Sequence, residues 1–426
     1  MKYLGITKEE AEEIYAKELK NYRRFQTEKL SLDMSRGKPS KEQLDIAADM
    51  LTVFADGNFI TEEGFDARNY GGIDGIVELR RLFAELFEVD VGKVLVGDNS
   101  SLNIMYNLVQ QGMQFGFGGG LPWNKAGKVK FICLVPGYDR HFAICENFGI
   151  DMISVPFKDD GDVDMDVIEG LVASDSSIKG IWCVPKYSNP TGAVYSDDTV
   201  GRFARMSTAA DDFRIFWDNA YAVHGIYGDT PLKNIISECE AAGNPDRTFM
   251  FSSTSKITYS GAGVAVFISS EKNVDEYKSH LKLATVGPNK LVQLAHYRYL
   301  KNPENVRAIM QTHAELLRPK FDCVQSVLES EFENGDIIGW TRPEGGYFVS
   351  VNVNTGSAKE VVELAGSVGV KFTAAGATYP LGNDFADANI RIAPSLPPVA
   401  ELEKAMRVLC CSIKLSAMKK IIAESV

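Results

Sequence analysis

The sequence is poor in the residues that build metal and disulfide sites. Its 426 residues include only five histidines, none paired with a second ligand at metal-binding spacing, and its seven cysteines form no C-x-x-C pair. A protein-built zinc site is not expected, and neither is a disulfide framework, because most cysteines lie in apolar runs such as Phe131-Ile132-Cys133-Leu134-Val135. Long hydrophobic runs are missing too, and nothing approaches the ~18 continuous apolar residues of a membrane span. The start, Met1-Lys2-Tyr3-Leu4-Gly5, has no apolar leader, so a cytoplasmic protein without a membrane partner is expected. Positive charge is not in excess. A net charge of -12 excludes a general affinity for nucleic acid, while a local cationic site for an anionic substrate stays compatible with it. The glycines at 116, 118, 119 and 120 do not form G-x-G-x-x-G after a strand, which sets aside a nicotinamide dehydrogenase.

What is present is an ordinary globular composition, 45% apolar and 24% charged, long enough for about two or three domains. Thr7 with Glu10 three residues on forms a capping box, so a first helix follows, with Ile14, Tyr15, Leu19 and Tyr22 on one face. Ile76, Leu79, Leu82, Phe83, Leu86 and Phe87 trace an amphipathic helix that turns Arg80, Arg81, Glu85 and Glu88 outward. Short apolar runs then alternate with helical stretches: Val94 to Val96, Phe131 to Val135, Met152 to Val155, Gly180 to Val184, Phe213 to Trp217, Thr248 to Phe251 and Val264 to Ile268. Such β-branched and aromatic runs suit strands buried on both faces, which predicts a mainly parallel α/β sheet. From Gly345 the pattern changes: Tyr347, Val349, Val351 and Val353 alternate as in a half-exposed sheet of a smaller α+β domain, closed by a helix from Val399. The expected division is an arm and small-domain segment over 1–60, a large domain over 61–300 and a small domain over 301–426, joined by a long helix.

Chemistry collects at the ends of these runs, where an open parallel sheet binds its ligand. Asp98-Asn99-Ser100-Ser101 opens a helix and offers caps and free N–H groups suited to a phosphate. Tyr138, in Pro136-Gly137-Tyr138, can stack on a planar ring. Ser188-Asn189-Pro190-Thr191-Gly192 follows the fourth run. Asp218, ahead of Asn219-Ala220-Tyr221, ends a very apolar strand, where a carboxylate needs a strong partner. Phe251-Ser252-Ser253-Thr254-Ser255-Lys256 runs from a strand into four hydroxyls and an amine. Alone, each reads as a helix cap, a loop aromatic, a turn, a surface acid or a solvated lysine. Together they supply a phosphate site, a stacking ring, donors for a phenolate, an acid for a pyridinium nitrogen and an amine for a Schiff base. Those are the parts that hold pyridoxal phosphate.

The motifs resemble those of the class I, fold-type I pyridoxal-phosphate aminotransferases, most closely the type Ic aspartate aminotransferases. The resemblance covers nearly the whole chain: Ser35-Arg36-Gly37-Lys38-Pro39, Asn69-Tyr70-Gly71-Gly72, Gly97 to Ser101, Pro136 to Tyr138, Asn189 to Gly192, Asp218 to Tyr221, Ser253 to Lys256 and Asn389-Ile390-Arg391-Ile392. It implies that Lys256 carries the cofactor as a Schiff base and acts as the catalytic base, that Asp218 pairs with the ring nitrogen, and that Asn189 and Tyr221 contact the phenolic oxygen. Asn99, Ser100, Ser101, Ser253 and Ser255 would belong to the cofactor site around the phosphate, and Tyr138 would lie against the ring. Tyr70 would reach the phosphate across a homodimer interface. Arg391 would anchor the α-carboxylate with help from the Gly37 N–H. The implied reaction is ping-pong amino transfer from L-aspartate or glutamate to a 2-oxo acid such as 2-oxoglutarate.

One position departs from the pattern. The family commonly carries a phosphate-binding arginine eight residues after the lysine, where this chain has Val264. Lys125 or Arg140 is the candidate replacement, the alternative being that the serines and the helix dipole suffice without one. For a side-chain carboxylate the candidates are Arg36, preferred, Lys38 and Arg140. Alternatives on the same scaffold are an aromatic or kynurenine-like donor and a C–S lyase. A non-enzymatic effector-sensing regulator is disfavoured, because Met1 to Lys29 has room for only one helix of a DNA-binding module.

Overall fold

A computed structural model describes residues 2–425. Its strands are β1 (Leu32–Asp33), β2 (Val94–Val96), β3 (Lys130–Val135), β4 (Asp151–Pro156), β5 (Ile178–Cys183), β6 (Arg214–Asp218), β7 (Thr248–Ser253), β8 (Ala265–Ile268), β9 (Ile338–Trp340), β10 (Val349–Val353), β11 (Val370–Lys371) and β12 (Asn389–Ile392). The seven apolar runs all enter one sheet, in the order β2-β8-β7-β6-β5-β3-β4. Neighbours from β7 through to β4 run parallel, whereas β8 is antiparallel to both β7 and β2. The fold is thus the expected α/β sheet with one reversed strand.

Residues on these strands alternate between two cores, as the strand period requires. Ile215, Trp217, Met250 and Val266 pack with the helix Val77–Leu86, while Phe216, Phe249, Phe251 and Phe267 pack with the helix Ser101–Phe115. Every residue of β5, β6, β7 and β8 is buried, which explains why their sequence shows continuous apolar runs and no alternation.

A third core gathers both ends of the chain. It joins the helix Lys8–Thr27, started by the Thr7/Glu10 capping box, to the helix Val399–Glu424 and the antiparallel sheet β12-β10-β9. The 29-residue helix Pro303–Glu331 links the cores, placing Val306 and Met310 against the large sheet and Leu317, Phe321 and Val324 in the third core. Two expectations need correction. Arg80 is half-buried, because its Nε donates to Val94 O at 2.8 Å and its Nη1 to Asp74 at 3.0 Å. In β10 the polar face is not simply solvated, since Ser350 is buried and accepts from Asn389 Nδ2 at 2.8 Å. Among the described residues all seven cysteines are free, no helix is long and apolar enough to cross a membrane, and no cluster of metal-ligating side chains forms.

Candidate active site

The carboxyl ends of β5, β6 and β7 open into a cleft of about 610 Å³. It brings together Asn99, Ser100, Ser101, Tyr138, Asn189, Asp218, Tyr221, Ser253, Ser255 and Lys256, and on its far wall Arg36, Gly37 and Arg391. Tyr70 is not among them; it stands 79% exposed on the surface.

Asp218 is the last residue of β6 and only 4% exposed. Its Oδ2 lies 3.0 Å from His141 Nε2, while Oδ1 is buried without a partner among the described residues. His141 comes from the helix Asp139–Phe148 and is clamped in place, stacked on Trp182 with centroids 4.4 Å apart and touched edge-on by Tyr138 at 5.0 Å. Burial, with the nearby charges of Asp218 and Asp139, pushes the Tyr138 phenol up to about 12. A buried carboxylate needs such a partner, and that need was the available sequence signal for His141, which lies three residues beyond Tyr138.

Lys256 follows β7 on a loop that returns directly to β8. Thr254 N donates to Val264 O and Val264 N to Thr254 Oγ1, both at 2.9 Å, so the loop is closed at its base. Helix Pro303–Glu331 adds a brace: His313 Nε2 is 3.0 Å from Ile257 O, and its Nδ1 is 3.2 Å from Gln43 Nε2. The Lys256 amine sits 4.9 Å from the centroid of the Tyr221 ring and 5.8 Å from that of Tyr347. Desolvation by these walls lowers its pKa from the ordinary lysine value, with Asp218 opposing only in part.

At the other end, Ser100 caps the helix Ser101–Phe115, accepting from Asn103 N at 3.3 Å. Ser255 Oγ reaches Asn99 O at 3.5 Å. Free N–H groups at such a helix start favour an anion. Val264 is 1% exposed and packed in the large-sheet core, so no cation replaces it from that position. Lys125 lies in the turn Trp123–Lys125 and does not line the cleft, which removes it as the substitute; Arg140 does line it and is exposed.

Arg391, on β12, is 7% exposed and lies over the Phe348 ring at 5.1 Å. Its Nη1 donates to Asp139 Oδ1 at 2.9 Å and to Asn189 Oδ1 at 3.2 Å, while Nε is buried without a partner. The loop at Gly37 presses on the same ring; a Cβ there would stand 2.7 Å from Phe348 Cζ, so only glycine permits this approach. Arg36, Lys38 and Lys371 sit exposed on the rim. Asp139 and Lys371 gave no sequence signal, because one is brought in at the first turn of the helix Asp139–Phe148 and the other by the two-residue pairing of β1 with β11.

The cleft thus holds a carboxylate oxygen with unmet hydrogen-bonding capacity, a guanidinium fixed over an aromatic ring, a lysine of lowered basicity and an anion-binding helix start. These are groups suited to holding an anionic, nitrogen-containing ring and a carboxylate side by side. A family model described as aspartate amino-transferase matches residues 6–425. The chain is similar to an aspartate aminotransferase of Corynebacterium glutamicum, 48% identical over 395 residues that cover 92% of this chain and 91% of the relative. It is also similar to the crystal structure of an aspartate transaminase from C. glutamicum, at a TM-score of 0.94 and 46% identity over 97% of both chains. A more distant likeness in fold is to a Thermus thermophilus α-aminoadipate aminotransferase solved with N-(5'-phosphopyridoxyl)-L-leucine, at a TM-score of 0.74 and 19% identity over 95% of each chain. The chain belongs to the aspartate aminotransferase family and is a fold-type I aminotransferase.

Proposed function

We propose that this enzyme uses pyridoxal phosphate to move the amino group of L-aspartate or glutamate to a 2-oxo acid such as 2-oxoglutarate. The observation that carries the reading is Asp218, a buried carboxylate fixed by His141 at one oxygen and unpartnered at the other, in the cleft that also holds Lys256. A protonated ring nitrogen fits that oxygen. The bound cofactor supplies an electron sink that weakens the Cα–H bond of an amino acid.

The chain's own residues do the rest. Asp218 holds a positive charge at the ring nitrogen because its carboxylate cannot otherwise be satisfied in the interior. Asn189 and Tyr221 hold the phenolic oxygen, and Asn99, Ser100, Ser101, Ser253 and Ser255 the phosphate, with the helix start adding its dipole. Tyr138 covers the ring. Lys256, favoured in its neutral form by desolvation, takes the proton from the substrate Cα. Arg391 grips the α-carboxylate as a planar fork and so sets which Cα bond faces the ring, and the Gly37 N–H assists. For the side-chain carboxylate Arg36 is the cation of choice, with Lys38, Arg140 and Lys371 on the same rim.

The donor assignment follows the name of the 48% identical relative and the cationic rim. A cytoplasmic homodimer in which Tyr70 reaches the partner's phosphate completes the reading, with a large domain over 61–300 flanked by small-domain segments 1–60 and 301–426. The test is an absorption spectrum of the cofactor-loaded protein before and after L-aspartate without an oxo acid. Loss of a band above ~400 nm with growth near ~330 nm is expected. A band unmoved by aspartate overturns the donor, and no band after adding pyridoxal phosphate overturns the cofactor.

A further inference from the structure

The cleft contains a carboxylate that the proposed reaction does not use. Asp139 Oδ1 accepts from Arg391 Nη1 at 2.9 Å, and Asn189 Oδ1 takes the same nitrogen at 3.2 Å. Nη1 has two N–H groups, so both are committed. The side-on fork across Nε and Nη2 is closed to a ligand because Nε is buried, so a substrate carboxylate grips the end of the guanidinium and needs one N–H from each terminal nitrogen. It therefore meets Asp139 in competition for Nη1. Asn189 is neutral and its loss costs a ligand nothing in charge, whereas Asp139 also repels the incoming anion.

We infer that Asp139 is a specificity-determining residue, a resident carboxylate that an incoming substrate carboxylate must displace from Arg391. The geometry suits displacement. Asp139 is the first residue of the helix Asp139–Phe148, where the helix dipole stabilises its charge wherever the side chain turns. Its side chain is 35% exposed against 7% for Arg391, so it can swing to water while the arginine stays fixed over Phe348. Exposed Arg140 is its next neighbour in the chain and offers a second cation at the rim. The effect is a threshold. A ligand that brings a full carboxylate charge replaces Asp139 on equal terms, while a neutral amide or ester in its place cannot match the ion pair that it would break.

This inference rests on Arg391 being the carboxylate anchor, and the test separates the two. Succinate, a non-reacting dicarboxylate, is titrated by calorimetry into the cofactor-loaded wild type and into D139N, D139E and R391K. Asp139→Asn keeps an acceptor for Nη1 but removes the charge, so succinate is expected to bind about threefold to tenfold more tightly. Its margin over the neutral diamide of succinate shrinks, and KM for L-aspartate falls in parallel. Asp139→Glu, with its charge restored, returns to wild-type affinity. Unchanged or weaker succinate binding in D139N, with R391K losing it, overturns the role of Asp139 and leaves the anchor standing. Unchanged binding in R391K overturns the anchor itself.

Discussion

Two lysines are drawn out of bulk water in opposite ways, one in the cleft and one in the C-terminal core. Burial pulls down the basicity of Lys414, yet its bonds to Glu331 and Glu18, with Tyr3 adding to the field, hold the ammonium above the ordinary lysine value. Lys256 has aromatic rings and the field of one carboxylate, Asp218, for company, and desolvation wins. The acids divide likewise. Glu331 and Glu18 are engaged by Lys414, whereas Asp218 keeps Oδ1 unpartnered in the interior. Charges that only hold the fold are saturated by the fold. In the cleft, the unsatisfied Asp218 and the desolvated Lys256 are where the chain gives up stability in order to act on something else.

The contrast can be broken in order of expected effect. Lys256→Ala should lower turnover by about 10³-fold or more in a steady-state assay, and a loss under about tenfold would show that the amine is not the base. Since the neutral amine is the active form, the rate should rise with pH through a value below that of a free lysine and fall as pH drops beneath it. The lowered pKa means that the native state binds fewer protons than the unfolded chain between that value and about 10.4, so the contribution of Lys256 to stability improves as pH rises. Lys256→Met is accordingly expected not to destabilise the cofactor-free protein at pH 7 in urea unfolding.

Lys414→Met should do the reverse, costing about 3 kcal/mol in the same experiment by stranding Glu18 and Glu331 while turnover per folded molecule is kept. Its folded pKa is raised, so its contribution is fully present below about 10.4 and is lost as pH climbs through the folded value. Equal urea midpoints for wild type and variant would erase the comparison. His141→Phe removes the partner of Asp218 Oδ2 and should cost about tenfold in kcat/KM, with an unchanged value showing that Asp218 needs no orienting group. Smallest, Tyr70→Phe should weaken retention of pyridoxal phosphate about threefold in equilibrium dialysis, and no change would remove the contact between subunits.

Six of the seven strands of the large sheet were legible because burial on both faces leaves a continuous β-branched and aromatic run in the sequence; the seventh, β4, stands at the sheet's edge with only Val155 buried, so there the expected burial on both faces is corrected. The direction of β8 was not, since an apolar run of four residues reads alike either way. Most cleft residues follow strands or open helices, so the rule that ligands bind at strand carboxyl ends was enough to collect them. His141 and Asp139 escaped because their importance lies in contacts with Asp218 and Arg391, made across 77 and 252 positions of chain. Periodicity carries no record of such pairs. Lys125 misled for the same reason: a cation near a glycine patch gives no sign of which way its turn faces.

The reversal of β8 has a consequence for motion. Because β7 pairs back on β8 from Ser253 opposite Ala265, the segment bearing Lys256 starts and ends on adjacent strands of the same sheet. Displacing its Cα strains the Thr254–Val264 closure at the foot of the loop and through it the β7–β8 pairing, which costs more than the motion of a free loop. The amine is then left with side-chain rotamer hops alone, fast on the picosecond-to-nanosecond scale and short in reach. Amide exchange at Thr254 and Val264 should be as slow as in β6, so that the most reactive atom of the chain moves quickly on one of its slowest supports.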